Sequence, residues 1–145
     1  MEINGRKIWD FTKVIWATRD TMRYDTPGDW HGDNIEAWEG MPLLSQRAVQ
    51  LHEFNESAVL RAAGIASEII DAIDEFRIQA RNGVITLHTL DTYRAIPAET
   101  LNLYDEAHVI ALMVERAFLE AAGGNWQEHC KMIEESRGKI PAVQS

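Results

Sequence analysis

From Leu44 onward, small and apolar residues return at helical spacing. Leu44, Ala48, Leu51, Ala58 and Ala62 share one face, and the pattern runs to Gly64, a residue suited to the left-handed backbone that closes a helix. A first helix therefore begins after Gly40 and Pro42. Ile69, Ile70, Ile73 and Phe76 or Ile78 mark a second over 67–80, ended by Asn82-Gly83. A third covers 97–122, with Pro97 in its first turn. Leu101, Leu103, Ala107, Ile110, Ala111, Val114, Ala117, Phe118 and Ala121 make it apolar on much of its circumference, so it belongs in the middle of a domain. Gly123-Gly124 stops it. Asn125 then caps a fourth helix, with Glu128 three residues later as in a capping box and Trp126, Cys130 and Ile133 as its inward stripe.

The preceding forty residues read differently. They hold Trp9, Trp16, Trp30 and Trp38, and segments 8–11 and 14–18 carry the β-branched and aromatic residues that suit strands. Asp25-Thr26-Pro27-Gly28-Asp29 signals a turn, with Gly28 suited to the positive φ of type II, and His31-Gly32-Asp33-Asn34 signals another. Residues 35–38 alternate as a short strand does. Segment 84–96 is open, and a short strand at 84–87 is one reading of it. The expected architecture is mainly α, about four helices with a small N-terminal antiparallel β ribbon, with α+β as the neighbouring class. It is a single domain over 1–145: a tryptophan-rich layer at 1–40, a helical core at 41–137 and a loose tail at 138–145.

Composition narrows the function classes. A chain of 145 residues buries enough surface to fold without metal or disulfide, and Cys130 is its only cysteine, so no internal disulfide forms. Neither a signal-peptide pattern nor a spanning apolar run is present, and cytoplasm is the expected compartment. With 23 acidic against 14 basic side chains the net charge is -9. Nucleic acid and anionic membrane are therefore not expected partners. Arg6-Lys7, Lys13 and Arg19 are interrupted by Asp10 and Asp20 and do not change this. The apolar third helix leaves room for a homodimer.

The candidate chemistry lies in Leu51-His52-Glu53-Phe54-Asn55-Glu56. Helical spacing puts Glu56 one turn above His52 with Glu53 beside them, and Val49 and Leu60 share the acids' side. Ionised carboxylates among apolar neighbours need partners. If the first two helices form an antiparallel hairpin about Gly64, Asp71 stands near Glu56 and Asp74 near Glu53. His108 has Tyr104, Ala111 and Leu112 at helical spacing and faces inward. His52, Glu56 and His108 then form a nitrogen-and-oxygen set for zinc or a related transition ion, with Asp71 or Asp74 completing or orienting it and Glu53 as general base. Glu53, Glu56, Asp71 and Asp74 alone would suit magnesium or manganese. Trp30 is read as locking its loop, Cys130 as a buried structural thiol, and His88 and His129 as isolated and exposed.

Three resemblances bear on these residues. His52-Glu53-x-x-Glu56 is similar to the zincin helix motif, with Glu56 where the second histidine stands. Glu53-x-x-Glu56 followed by Glu68-x-x-Asp71 resembles the acidic motifs of all-helical MazG and dUTPase-like nucleoside triphosphate pyrophosphohydrolases. That resemblance implies those four acids as magnesium ligands. Met22-Arg23-Tyr24-Asp25-Thr26-Pro27-Gly28-Asp29-Trp30, Leu51-His52-Glu53, Arg61-Ala62-Ala63-Gly64-Ile65, Asp71-Ala72-Ile73-Asp74 and Glu106-Ala107-His108 resemble small uncharacterised bacteriophage and prophage proteins. Those carry a Gly-Asp-Trp/Tyr turn, a His-Glu-x-x-Glu helix, an Asp-x-x-Asp helix and a later Glu-x-His. The leading expectation is a metal-binding helical protein working as a metal-dependent hydrolase on an unidentified substrate. A non-catalytic phage-type interaction or assembly protein and a magnesium-dependent pyrophosphohydrolase stand beside it.

Overall fold

The computed structural model describes residues 2–143. A short hairpin of β1 (Glu2–Ile3) and β2 (Arg6–Lys7) leads through a 3-10 turn at Phe11–Lys13 into a three-stranded sheet. The sheet consists of β3 (Ile15–Arg19), β4 (Gly28–His31) and β5 (Asn34–Trp38). β5 is central, antiparallel to β4 through the tight turn at Gly32 and parallel to β3. The expected ribbon is thus a mixed sheet, because the long connection from Arg19 to Gly28 brings the chain back alongside β5 on its other edge.

Five helices follow: α1 (Leu43–Ala62), α2 (Ser67–Asn82), α3 (Leu87–Arg94), α4 (Ala98–Ala121) and α5 (Trp126–Ser136). The class is α+β, with one helix more than the pattern suggested. The extra helix is α3, where β-branched residues invited a strand. Thr86 instead accepts a hydrogen bond from the Thr89 amide as an N-cap, and Tyr93 stacks on Phe76 of α2 with ring centroids 3.8 Å apart. Asn125 caps α5 by accepting from the Glu128 amide at 2.9 Å, as its spacing implied.

The core explains how the layers meet. Trp30 and Ile35 of the sheet join Leu60 of α1, Ile70 and Ile73 of α2, and Tyr104 and Ala107 of α4 in one cluster. Leu60, Ile35 and Ile73 are fully buried. α1 lies between sheet and α4, its Gln50 Nε2 donating to the Ala17 carbonyl at 2.9 Å. Its closest partner is α4 and not α2, which corrects the expected hairpin. Small residues account for this: Ala48 on α1 and Ala107 and Ala111 on α4 are fully buried, and such residues let two helix backbones approach closely.

α4 is less enclosed than its composition implied. It buries Tyr104, Ala107, Ala111, Glu115 and Leu119, while Leu103, Val109, Ile110 and Met113 are exposed, because only one layer of the chain packs against it. After α5, the Met22 amide donates to the Pro141 carbonyl at 2.9 Å and the Val143 amide to the Met22 carbonyl at 2.8 Å. Met22 and Ile140 are buried there, so the segment beyond Gly138 is tied down as far as Val143. Gln144 and Ser145, the end of the expected tail, lie outside the described residues.

Ile73 touches sheet, α1 and α4 residues through one cluster, and its truncation cannot be relieved from a single side. Ile73→Ala should lower unfolding free energy by about 2–5 kcal/mol, read as a reduced midpoint in urea with an unchanged m-value.

Candidate metal centre

α1 and α4 run antiparallel, so that His52 meets Glu115 and Glu56 meets His108 across the interface. On α1, His52 and Glu56 are one turn apart; on α4, His108 and Glu115 are two turns apart. Helical phase therefore points all four into the same seam.

The Glu56 carboxylate is the junction. Its Oε2 lies 3.4 Å from His52 Nε2 and 3.1 Å from His108 Nδ1, while Trp30 Nε1 donates to Oε1 at 3.5 Å. Glu56 is 4% exposed and His52 7%, whereas the His108 side chain is 45% exposed and opens the centre to solvent. The donor atoms of His52, Glu56 and His108 all lie within 4.8 Å of one another. Two zinc-ligand bonds of about 2.05 Å at the tetrahedral angle separate their ligand atoms by about 3.3 Å, close to both distances at Oε2.

A second layer orients the first. Glu115 Oε1 is 2.7 Å from His52 Nδ1, and its Oε2 is 2.5 Å from His129 Nε2, whose Nδ1 faces Ser45 Oγ at 2.9 Å. With Nδ1–H given to Glu115, His52 presents Nε2 toward Glu56 and His108. This is the carboxylate–histidine pairing common behind metal ligands. The expectation that His129 is exposed and isolated is overturned: it is 4% exposed, because the Asn125 cap sets the phase of α5 so that this ring turns inward.

Electrostatics follow from burial and these pairs. Burial works against charge on Glu56, but the hydrogen bonds of His108 and His52 overcome it and bring its pKa down to about 2. Burial likewise opposes the charged His52 ring, and its bonds to Glu115 and Glu56 push it up to about 10. Glu115 is held below the usual carboxylate range, its burial outweighed by His129 and His52. Glu53 goes the other way. Burial and then the Glu56 charge raise it well above its ordinary value. Asp74 is raised to about 8, chiefly by burial, although the Tyr104 hydroxyl donates to its Oδ1.

His52, Glu53, Glu56, Asp74 and His108 all line one cavity of about 530 Å³. Asp71 does not join them. It is 41% exposed and pairs with Arg23 at 3.1 Å, because α2 stands off from α1. Glu68 is also exposed, in the first turn of α2, so the four acids of the pyrophosphohydrolase pattern are not brought together. Cys130 lines the cavity but is exposed, not the buried thiol expected, because α5 turns His129 and Ser136 inward. Trp30 is buried over Glu56 within β4 and the main core, not in the loop expected for it, and His88 is exposed.

Gly28 shapes the cavity floor by being small. It has no positive φ and opens β4 instead of supplying the turn expected of it. A Cβ there would lie 2.5 Å from Val49 Cγ1 and 2.7 Å from Glu53 Oε1. A second acid-histidine group, Asp29, His31 and Glu36, is already neutralised: Arg23 holds both Asp29 oxygens at 2.9 and 3.0 Å, and Arg19 and His31 hold Glu36 at 2.6 and 2.9 Å.

Among the described residues no helix is long and apolar enough to cross a membrane. No protein-family model matches the chain, nor does any curated protein or solved structure.

Gly28→Ala should push Val49 and Glu53 aside, costing about 1–3 kcal/mol in chemical denaturation and moving the Glu53 carboxylate in a crystal structure of the variant.

Proposed function

We propose that this protein is a metal-dependent hydrolase whose divalent transition ion, zinc in the first instance, is held by His52 Nε2, Glu56 Oε2 and His108 Nδ1. The observation that carries the reading is the donor set itself: two imidazole nitrogens, each at tetrahedral-edge distance from one carboxylate oxygen, with Glu115 behind His52. Three protein ligands leave a position for water or substrate, as catalytic zinc sites do. The ion would supply Lewis acidity, polarising the attacked group and lowering the pKa of the attacking water.

Glu53 is the general base in this reading. It precedes Glu56 by three residues, opens on the same cavity and has its pKa raised by burial and by Glu56, the direction that makes a carboxylate a stronger base. Asp74 stays hydrogen-bonded to Tyr104 and closes the cavity behind the acids. Trp30 and Glu115 position the ligands.

One observation favours a non-catalytic reading, in which the same seam is an ion-pair network of an assembly protein. With His52 raised to about 10, the ring is a cation at neutral pH and already balances part of the charge on Glu56 and Glu115. A metal would have to displace that proton.

Zinc titration of chelator-treated protein separates the two. The hydrolase reading expects uptake of about one equivalent, lost in His52→Ala and Glu56→Ala and weakened about 10- to 100-fold in Glu115→Gln. Glu53→Gln should keep the metal and lose turnover on an ester, amide and phosphoester panel by about 100-fold or more. Fewer than about 0.2 equivalents bound by the wild-type chain would end the proposal in favour of the ion-pair network.

A further inference from the structure

The cavity is far larger than an ion needs. At about 530 Å³ it has the size of a small-molecule site, and its walls carry charge of both signs. Each sign keeps a member without a partner.

Four of its six carboxylates have partners: Asp29 has Arg23, Glu56 and Glu115 have imidazoles, and Asp74 has Tyr104, while Glu53 and Glu134 have no side-chain partner among the described residues. Three arginines also line it, Arg77, Arg81 and Arg137. Arg77 and Arg81 pair at 2.6 and 2.7 Å with Asp105 and Asp25, neither of which faces the cavity. Arg137 is different. At the C-terminal end of α5 its Nε–H is buried without an acceptor, and no ion pair holds its guanidinium among the described residues.

A buried donor with no acceptor is unfavourable, and a guanidinium cannot relieve it by losing its proton. Such a group is suited to a ligand oxygen. Its planar fork matches a carboxylate or a phosphate, each of which offers two oxygens side by side. A chain of net charge -9 does not attract anions through its overall field, so an anionic ligand needs a local cation to stay bound.

We infer that Arg137 seats an oxyanion group, carboxylate or phosphate, of a small-molecule ligand occupying this cavity. On the hydrolase reading, from which this placement follows, the ligand is the substrate, anchored at Arg137 while its scissile group reaches His52, Glu56 and His108. Arg77 and Arg81 add positive charge to the same walls.

The test follows the Arg137 Nε–H resonance of the full chain during titration with inorganic phosphate and, separately, acetate, first with chelator and then with zinc. Saturable movement of that resonance with either anion under chelator is expected, the anion giving the tighter response identifying the group. Arg137→Gln should weaken binding of that anion about tenfold or more while leaving zinc affinity unchanged. A resonance that responds to neither anion, or wild-type anion affinity in Arg137→Gln, overturns the inference. Failure of the chain to bind zinc, with the anion response intact, would remove the hydrolase reading and leave the anion seat standing.

Discussion

One buried carboxylate organises this molecule. Glu56 sits in the α1–α4 interface, almost without solvent, and an unpaired charge there would cost several kcal/mol. Two imidazoles from separate helices and an indole from the sheet are brought to it, so satisfying this single group requires α1, α4 and β4 to be in place together. The close approach of α1 to α4, made through alanines, is what allows side chains as short as histidine and glutamate to span the gap.

That demand also explains which parts of the centre could be read from the chain. His52 and Glu56 share a helix face at one-turn spacing, and the apolar neighbours of His108 declared its inward phase. Those signals are local, and the structure brings the three together. Glu115 shares the face of His108 two turns on, but its role behind His52 was missed, because it depends on the packing of α4 against α1. His129 carried no local signal. Its partners lie on α4 and α1, 14 and 84 residues away, and the phase set by the Asn125 cap turns it inward. Asp71 was misplaced for a related reason: the Asp-x-x-Asp spacing fixes a helix face, whereas the choice of helix partner is made by packing volume, which the hydrophobic pattern does not encode.

The fold divides in the same way. Helix ends marked by Gly64, Gly83 and Asn125 lie where turn and cap chemistry put them. The strand suggested at 84–87 became the lead-in to α3 because Thr86 used its hydroxyl as a cap and Tyr93 found Phe76. Gly28 illustrates the limit of residue-level inference. Glycine next to proline announces a turn, yet here the missing side chain makes room for Glu53 across the layer boundary, a purely tertiary requirement.

The clasp of Met22 between Pro141 and Val143 has a consequence for the order in which the molecule assembles. Tyr24 and residues 26–29 line the cavity, and the anchor of their segment is the last described stretch of the chain. During synthesis, the early sheet must therefore wait with its floor segment unpinned until everything through Val143 has been made. Closure across so long a stretch of chain is a late and slow event. The helical seam and the floor segment beneath it thus mature at different times, the floor only after residues 141–143 are in place.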